Sequence, residues 1–364
     1  MNEVNESSKT YKENMWTKDY IKKIPKVLLH DHLDGGVRST TLKNIAKKYN
    51  YRLETSANQI NSERKSLVNY LKQFDQTVAL MQRVEDLALI TAEAIEDLQS
   101  DGVVYAELRF APELHCKQGL RVEDAIKAVG EEIIAKSSKI IGSGIVARLI
   151  ITALRDSSER EVLKIADAAC KFKYLGVVGF DIAGNEQSCS ITTHKRAISK
   201  ALEGGLKVSV HSGESGDIAD LENAIQLGAT RIGHGVLVAD SLNKEHTSRV
   251  KATKLRKLIT EEKIVLEICP QSNVDTGIYN SVEDCPVKTL SNQGLRVTIN
   301  TDNRSVSNTT LTDEILKLHN SINYSAKDVA AHQSTAAEAI FSDEFRESLV
   351  KYIKMFYNTP FSNS

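Results

Sequence analysis

The sequence predicts an α/β fold, a (β/α)₈ TIM barrel, from three observations. Short β-branched apolar runs alternate with longer stretches of helical periodicity, as in a parallel sheet covered by helices. Eight such runs occur, which is the number of strands in a closed parallel barrel. Polar side chains lie where several runs end, and such barrels build their active sites at the carboxyl ends of the strands. An open doubly wound sheet is the alternative, but the chain lacks the GxGxxG sequence of a dinucleotide fold.

The predicted strands follow one another along most of the chain. They lie at residues 27–32, 103–110, 145–154, 177–183, 207–211, 231–235, 264–269 and 296–301. About 70 residues separate the first two runs, which is too many for one crossover helix. Residues 65–99 within this gap repeat apolar side chains at helical spacing. We therefore expect an added helical insertion near the mouth of the barrel.

Length and charge bound the class of protein. A chain of 364 residues fits one large barrel, so we expect a polar N-terminal segment at 1–24 and a single barrel domain with C-terminal helices at 25–364. Lys and Arg number 47 and Asp and Glu 48, with no block of like charge. This balance indicates neither a nucleic-acid partner nor an anionic membrane partner and favours a small neutral ligand. The oligomeric state is left open.

Hydropathy and cysteine usage predict a cytoplasmic protein. No stretch of about 18 uncharged apolar residues occurs, and the N-terminal segment has no apolar core of the kind that a secretory signal needs. The five cysteines are scattered and form no CxxC pair. We therefore expect reduced thiols, with neither a disulfide framework nor a thiolate zinc site.

Three histidines and one aspartate at strand ends predict a metal site. His30 and His32 are two residues apart on an apolar strand, so their side chains share one face. His211 ends the fifth run, and Asp302 follows the eighth. Nitrogen and oxygen donors of this kind suit Zn²⁺, although Fe²⁺, Co²⁺ and Mn²⁺ accept similar sets.

Two further residues predict hydrolytic chemistry. Glu214 lies three residues beyond His211, on the turn that leaves the fifth strand, where it can give a proton to a substrate or take one from it. His234 ends the sixth run and can take a proton from an attacking water or hold that water. Together with a metal ion, these residues indicate a hydrolytic centre.

Seven motifs in order carry a family resemblance. They are HxHLDG at 30–35, YAELRFAP at 105–112, DIAGNE at 181–186, HSGE at 211–214, GHG at 233–235, ICPQSN at 268–273 and NTDN at 300–303. From about residue 25 to residue 341 the chain resembles the adenosine and adenine deaminase family of the metal-dependent amidohydrolases.

The resemblance implies hydrolytic deamination of adenosine and 2′-deoxyadenosine to inosine or 2′-deoxyinosine and ammonia. The partner is then a small-molecule purine nucleoside, attacked at purine C6 by zinc-bound hydroxide. Residue by residue, the resemblance implies one Zn²⁺ per chain on His30, His32, His211 and Asp302, with Asp302 also orienting the hydroxide. It further implies that Glu214 protonates purine N1, His234 lies beside the attacking water, the Gly184 N–H meets N3, Asp34 accepts from the 5′-hydroxyl and Asn303 meets N7.

Two positions bear on the substrate. Many family members have a second acid where this chain has Asn303. Purine N7 only accepts hydrogen bonds, and the Asn303 amide can donate one in its ordinary state. Asp34 favours a nucleoside, because related adenine deaminases tend to have Glu there. Deamination of another 6-aminopurine, 5′-methylthioadenosine or adenine, is an alternative function.

Two other classes of function are also open, a different amidohydrolase and a barrel that only binds. Binuclear amidohydrolases often need a carboxylated lysine at the end of the fourth strand, where this chain has residues 181–185 without one. A barrel that binds without catalysis would be expected to lack one of the predicted metal ligands or the predicted general acid. This chain has all of them.

The remaining polar candidates are expected to be structural. Five histidines are predicted to lie on the surface: His115, His194, His246, His319 and His332. Glu107 and Arg109 alternate on a strand and are expected to form a buried pair. Ser272 and Asn273 either border the floor of the site or cap a turn.

Overall fold

The computed structural model describes residues 16–53, 67–72, 74–215, 218–239 and 246–358. Within these ranges, eight parallel strands follow one another around a barrel in sequence order. They are β1 (Lys26–His32), β2 (Val103–Phe110), β3 (Val146–Leu154), β4 (Val177–Ala183), β5 (Lys207–Ser212), β6 (Arg231–His234), β7 (Val265–Ile268) and β8 (Arg296–Ile299). The predicted (β/α)₈ barrel is confirmed.

The barrel closes between β8 and β1 at the end that carries the candidate site. The His32 N–H donates to the Asp302 carbonyl at 2.7 Å, and the Asp302 N–H donates to the His30 carbonyl at 3.0 Å. One strand-end residue on β1, Asp31, therefore forms an isolated parallel bridge with Asp302. The same backbone contacts that close the sheet thus bring two predicted ligands beside a third.

Helices cover the outside of the barrel. Those before β3 are α1 (Lys18–Lys23), α2 (Ser39–Lys48), α3 (Leu67–Leu71), α4 (Phe74–Leu80), α5 (Val84–Ser100) and α6 (Val122–Lys136). Those between β3 and β8 are α7 (Glu159–Lys171), α8 (Lys195–Glu203), α9 (Ile218–Gln226), α10 (His246–Glu261), α11 (Pro270–Asp275) and α12 (Val287–Asn292). Three follow β8: α13 (Leu311–Ile322), α14 (Ala326–Ala339) and α15 (Asp343–Asn358).

Helix α7 illustrates why these segments fold as they do. Ser158 accepts from the Glu161 N–H, and the Glu161 carboxylate accepts from the Ser158 N–H, which is a complete capping box. Val162, Ile165 and Ala169 then recur at helical spacing and are all buried against the barrel. Burying each branched side chain contributes about 1.5–3 kcal/mol, so Ile165→Asp would detach this face.

Helices α2 to α5 all lie between β1 and β2. The segment 65–99, in which an added helical element was expected, contains α3, α4 and most of α5; residues 54–66 and 73 lie outside the described residues. Tyr70 and Phe74 of this segment reach the cavity at the mouth of the barrel.

Buried charges occupy the inside of the barrel. Glu107 and Arg109 are both fully buried, as expected, but each pairs with another residue. Glu107 accepts from Arg231 at 2.6 Å, whereas Arg109 donates to Asp181 and Glu267. The expected Glu107–Arg109 pair was wrong, because side chains from several strands meet inside a barrel and each acid faces a base across it. Buried ions of this kind are tolerated only when paired.

The segment between α14 and α15 closes the barrel at the end away from the site. The Phe341 N–H donates to Glu107, and the Arg231 guanidinium lies 3.6 Å from the centre of the Phe341 ring.

All five cysteines are free, as expected. Among the helices of the described residues, none is long and apolar enough to cross a membrane.

Candidate active site

A cavity of about 340 Å³ lies at the carboxyl ends of the strands, within the size range of small-molecule sites. Eight of the nine predicted site residues line it: His32, Asp34, Gly184, His211, Glu214, His234, Asp302 and Asn303. The ninth, His30, is fully buried immediately beneath them. Residues that are far apart in sequence therefore share one cavity because the barrel gathers the ends of its strands.

The predicted ligands lie together. Donor atoms of His30, His211, His234 and Asp302 all fall within 4.8 Å of one another. His32 belongs to the same cluster, since its Nε2 lies 3.2 Å from His211 Nε2 and 3.4 Å from Asp302 Oδ1. His234 is thus close enough to be a ligand as well, a role that the sequence did not predict for it.

Two buried carboxylates orient the histidines. Glu267 lies 2.8 Å from His30 Nδ1, and Asp181 lies 3.0 Å from His211 Nδ1. A histidine that donates from Nδ1 presents its Nε2 lone pair to a metal ion. Among the described residues, His30 Nε2 has no hydrogen-bond partner and lies 3.3 Å from Asp302 Oδ1. A buried ring nitrogen that has no hydrogen-bond partner and faces a carboxylate oxygen fits a metal site.

The electrostatics also suit a cation. Burial lowers the pKa of His32 to about 3 and holds the pKa of His234 well below its usual value. Although burial opposes ionisation of Asp302, the His30 and His32 imidazoles beside its carboxyl hold the pKa of that group well below its usual range. Around neutral pH these residues therefore offer two imidazole lone pairs and a negative charge.

Backbone strain is concentrated in this cluster. His234 and Asp302 adopt φ values of 63° and 58°, in the left-handed region that non-glycine residues rarely occupy. Such residues cost about 1–3 kcal/mol each and persist where the surroundings hold them.

Ser272 Oγ donates to Asp302 Oδ2, which leaves Oδ1 facing His30 and His32. Asn273 Nδ2 lies 3.0 Å from His234 Nδ1. Ser272 and Asn273 therefore border the site.

Glu214 is placed to hold a proton. Burial raises the pKa of its carboxyl well above the usual range, and the negative charges of Asp302 and Glu186 raise it further. Its Oε2 lies 3.6 Å from His234 Nε2. A carboxyl whose pKa is raised in this way keeps its proton to a higher pH than an ordinary glutamic acid and can act as a general acid toward a ligand in the cavity.

Asp34 has a partner that the sequence did not reveal. His115 Nε2 lies 3.7 Å from Asp34 Oδ2, and the Ala111 N–H donates to the same oxygen at 3.5 Å. Although burial favours the neutral acid, His115 and His32 hold the pKa of Asp34 below its usual value. Asp34 is therefore an ionised acceptor at the wall of the cavity.

The surface prediction was wrong for three of the five other histidines. His115, His194 and His332 are buried, and each has a polar partner: Met81 O, Arg155 O and Tyr324 OH respectively. His319 is partly buried and also bonded, to the Tyr324 carbonyl at 3.0 Å. The side chain of His246 lies outside the described residues. These imidazoles lie in helical or turn sequences whose polarity conceals their burial.

Gly184 and Asn303 lie on opposite sides of the cavity. Gly184 has a φ of 107°, which a residue with a side chain rarely adopts. Asn303 is 3% exposed, and its Oδ1 has no partner among the described residues. A Cβ on Gly35 would lie 2.0 Å from that oxygen, so the glycine leaves room for the Asn303 amide.

Besides His115, sequence reasoning missed Glu186, Glu267 and Tyr70, which also support this site. Glu267 is a single acid within the apolar strand β7, and this was the signal that could have identified it. Glu186 closes the DIAGNE motif and binds the backbone of the turn that carries Glu214. Tyr70 comes from the insertion and lies 2.9 Å from Ser307 Oγ; helical spacing alone does not indicate that it points inward.

Comparison with known proteins places the chain among purine deaminases. The family model described as "Adenosine deaminase" matches residues 25–354. An adenosine deaminase of Mycobacterium marinum is 37% identical over 354 residues, which cover 94% of this chain and 97% of that protein. A crystal structure of Arabidopsis ADAL complexed with IMP is similar in fold, with a TM-score of 0.81 at 24% identity, covering 93% of this chain and 99% of ADAL. A Burkholderia ambifaria amidohydrolase with bound Zn has a TM-score of 0.78 at 21% identity, and 94% of each chain is covered.

Proposed function

The chain belongs to the adenosine deaminase family, and we propose that it hydrolyses adenosine to inosine and ammonia, and 2′-deoxyadenosine to 2′-deoxyinosine and ammonia. One observation carries the proposal: a buried carboxyl with a raised pKa, Glu214, faces the same cavity as a cluster of imidazole and carboxylate donors. Hydrolysis at an amino-substituted ring carbon needs both an acid for the ring and an activated water for the carbon.

The proposed metal ligands are His30, His32, His211 and Asp302. The unpaired Nε2 of His30 and the short distance between the Nε2 atoms of His32 and His211 support this set. Nitrogen and oxygen donors of this kind favour zinc, and we propose one Zn²⁺ per chain. A zinc ion bound by such residues lowers the pKa of a coordinated water to near 7.

Glu214 and His234 are the proposed proton carriers. A protonated Glu214 donates to purine N1, which withdraws electron density from C6 and makes that carbon easier to attack. His234 has its Nε2 on the Glu214 side of the cavity, where it can hold the attacking water or take its proton. The water oxygen bonds to C6 and the bond from C6 to the amino group breaks; the amino group takes one proton of the water and leaves as ammonia, while the other proton, carried by His234, restores the acid form of Glu214. Asp302 orients the water.

Three groups are proposed to hold the nucleoside. The Gly184 N–H meets purine N3, and the Asn303 amide meets N7, which accepts a hydrogen bond at every working pH. Asp34 accepts from the ribose 5′-hydroxyl, and its lowered pKa supports this role. The proposed partner is therefore a small neutral purine nucleoside.

We further propose a cytoplasmic location, which the five free cysteines support.

Action on another 6-aminopurine is the second candidate, because ADAL, similar in fold, was crystallised with the nucleotide IMP. A panel of adenosine, 2′-deoxyadenosine, 5′-methylthioadenosine, adenine, AMP and cytidine separates the candidates. Metal-loaded protein is incubated with each, and the absorbance change and the released ammonia are measured. Adenosine and 2′-deoxyadenosine should be converted fastest. Conversion of only adenine or only AMP would overturn the proposal.

A further inference from the structure

We propose that Glu186 is a positioning residue for Glu214, because its carboxylate fixes the turn on which Glu214 faces the cavity. This inference rests on the proposed function of Glu214 toward purine N1. Glu186 itself does not line the cavity, and its side chain is directed at the backbone of the neighbouring turn. Its role would thus be exerted through another residue.

The Glu186 carboxylate accepts four hydrogen bonds from residues 212–215. One carboxylate oxygen accepts from the Glu214 N–H at 2.8 Å and the Ser215 N–H at 2.9 Å. The other accepts from the Gly213 N–H at 2.8 Å and from Ser212 Oγ at 3.2 Å. Three successive backbone N–H groups therefore converge on one buried anion, an arrangement that backbone turns use to bind negative charge.

The sheet explains why a side chain is needed here. Backbone pairing of β3 with β4 continues to Leu154 and Ala183, and pairing of β5 with β6 continues to Ser212 and His234. Between β4 and β5, pairing stops earlier, at Phe180 and Val208. The carboxyl ends of β4 and β5 therefore have no ladder between them where the site is built. Glu186 supplies hydrogen bonds across this gap, and its neighbour Gln187 donates from Nε2 to the Ser215 carbonyl at 3.0 Å.

The Glu214 side chain depends on this support. Its carboxyl has no hydrogen bond among the described residues, and His234 Nε2, at 3.6 Å, is its nearest ion-pair partner. Gly213, just before it, adopts a φ of 72°, so the turn also needs an unusual backbone conformation. The orientation of Glu214 is accordingly set by its backbone, and Glu186 holds three N–H groups of that backbone.

Glu186 also connects the two turns that face the purine. It lies two residues beyond Gly184, the proposed donor to N3, and it binds the turn that carries the proposed donor to N1. One side chain can thus fix the spacing between two edges of the same ring. The negative charge of Glu186 contributes, after burial and Asp302, to the raised pKa of Glu214, which favours the protonated acid.

The test compares Glu186→Gln with Glu113→Gln in metal-loaded protein. Glutamine has nearly the same shape, but its amide NH₂ cannot accept from an N–H group. Glu113 is a matched control, because its carboxylate also holds a loop after a strand, accepting from the Leu154 N–H and Ser157 Oγ at 2.7 Å each. The Glu113 loop carries no proposed catalytic group.

Two measurements separate positioning from general damage. Glu186→Gln should lower kcat/KM for adenosine by roughly 10- to 100-fold, the range expected for losing hydrogen bonds to a charged acceptor. The inhibition constant for 1-deazaadenosine, which has no N1, should change by less than about twofold, since such a ligand has nothing to gain from Glu214. Glu113→Gln should change neither kcat/KM for adenosine nor the inhibition constant for 1-deazaadenosine. Equal losses for both ligands, or no loss for adenosine, would overturn the proposal.

Amide hydrogen exchange tests the contact without using catalysis. The peptide that contains residues 213–215 should exchange at least about tenfold faster in Glu186→Gln than in wild type, because one of the two oxygens that hold its N–H groups becomes an NH₂ group that cannot accept. Unchanged exchange would also overturn the proposal. If the wild-type protein does not deaminate adenosine, the proposed function fails, and the exchange rates alone decide whether Glu186 holds the turn.

Discussion

The Glu267 carboxylate lies 2.8 Å from His30 Nδ1, and neither side chain is exposed to solvent. The hydrogen bond turns the His30 ring so that Nε2 faces Asp302. A carboxylate partner of this kind fixes the tautomer of a ligand histidine and makes it a better donor to a metal ion. The metal site is thus formed by pairs of residues, one that contacts the ion and one that holds the contacting ring.

Glu267→Gln should therefore weaken metal binding by about 10- to 100-fold. Zinc affinity can be measured by competition with a chromogenic chelator. Because Glu267 also pairs with Arg109 and Arg231, the variant should lose stability as well. Glu107→Gln is the control: it removes another buried partner of Arg231 and should lower the melting temperature without changing zinc affinity. Equal affinities in wild type and Glu267→Gln would contradict the orienting role.

Glu214→Gln should bind metal normally and lose about 10²–10⁴-fold in kcat, the usual range for removing a general acid or base. In wild type, kcat/KM should fall as pH rises through the raised pKa of Glu214, because the carboxylate form has no proton to give. The pH-rate profile of the variant should lack this alkaline decline. Near-normal turnover would remove Glu214 from the mechanism.

The raised pKa of Glu214 also leads to a prediction about stability. A carboxyl whose pKa is raised on folding binds its proton more tightly in the native state, so it destabilises that state once pH exceeds the unfolded value of about 4.3. The melting temperature of Glu214→Gln relative to wild type should therefore rise between pH 5 and pH 8. Melting curves over this range measure the difference. A difference that does not change with pH would mean that Glu214 is ionised in the folded protein.

Asp34 should make the enzyme prefer nucleosides to nucleotides. Its ionised carboxylate accepts from a hydroxyl group but repels a phosphate, and a hydrogen bond to a charged group is worth about 1.5–3 kcal/mol. Catalytic efficiency on adenosine should accordingly exceed that on AMP by at least roughly 10- to 150-fold. Asp34→Asn should narrow this ratio while leaving metal content unchanged. Similar efficiencies of wild type on adenosine and AMP would exclude the proposed contact with the 5′-hydroxyl.

Gly35→Ala tests the placement of Asn303. The added methyl group would lie 2.0 Å from Asn303 Oδ1, so the amide must move. Affinity for adenosine should fall by the cost of an unpaired N7, about 1–3 kcal/mol, whereas affinity for 7-deazaadenosine, which lacks that acceptor, should change much less. In an Asn303→Ala background, the effect of Gly35→Ala should shrink, as expected for residues in contact. Equal weakening of both ligands would indicate a purely structural role for Asn303.

The barrel could be predicted because strands buried on both faces are continuous apolar runs in sequence. Observed strand ends differ from the predicted ones by at most two residues, as with β8, which ends at Ile299 where 301 was predicted. The polar residues that end or follow such runs, including His211 and Asp302, were predictable for the same reason: topology alone brings strand ends together.

Contacts between distant elements were not predictable from sequence. His115 lies in a short polar turn after β2, and only the folded chain shows it packed against Asp34, which follows β1. Glu107 and Arg109 have the spacing of neighbours on one strand face, but each finds its opposite charge across the barrel. Periodicity gives the face on which a residue lies, whereas the partner depends on which other faces meet it.

The most direct test of hydrolytic deamination at this metal site is a zinc titration of metal-free protein in the presence of adenosine. Ammonia and inosine are measured at each zinc-to-protein ratio. We expect no turnover without metal, a linear rise in rate that stops at one ion per chain, and equal amounts of the two products. Full activity after exhaustive chelation, or a rate that rises until two ions are bound, would contradict a single zinc ion as the centre of this chemistry.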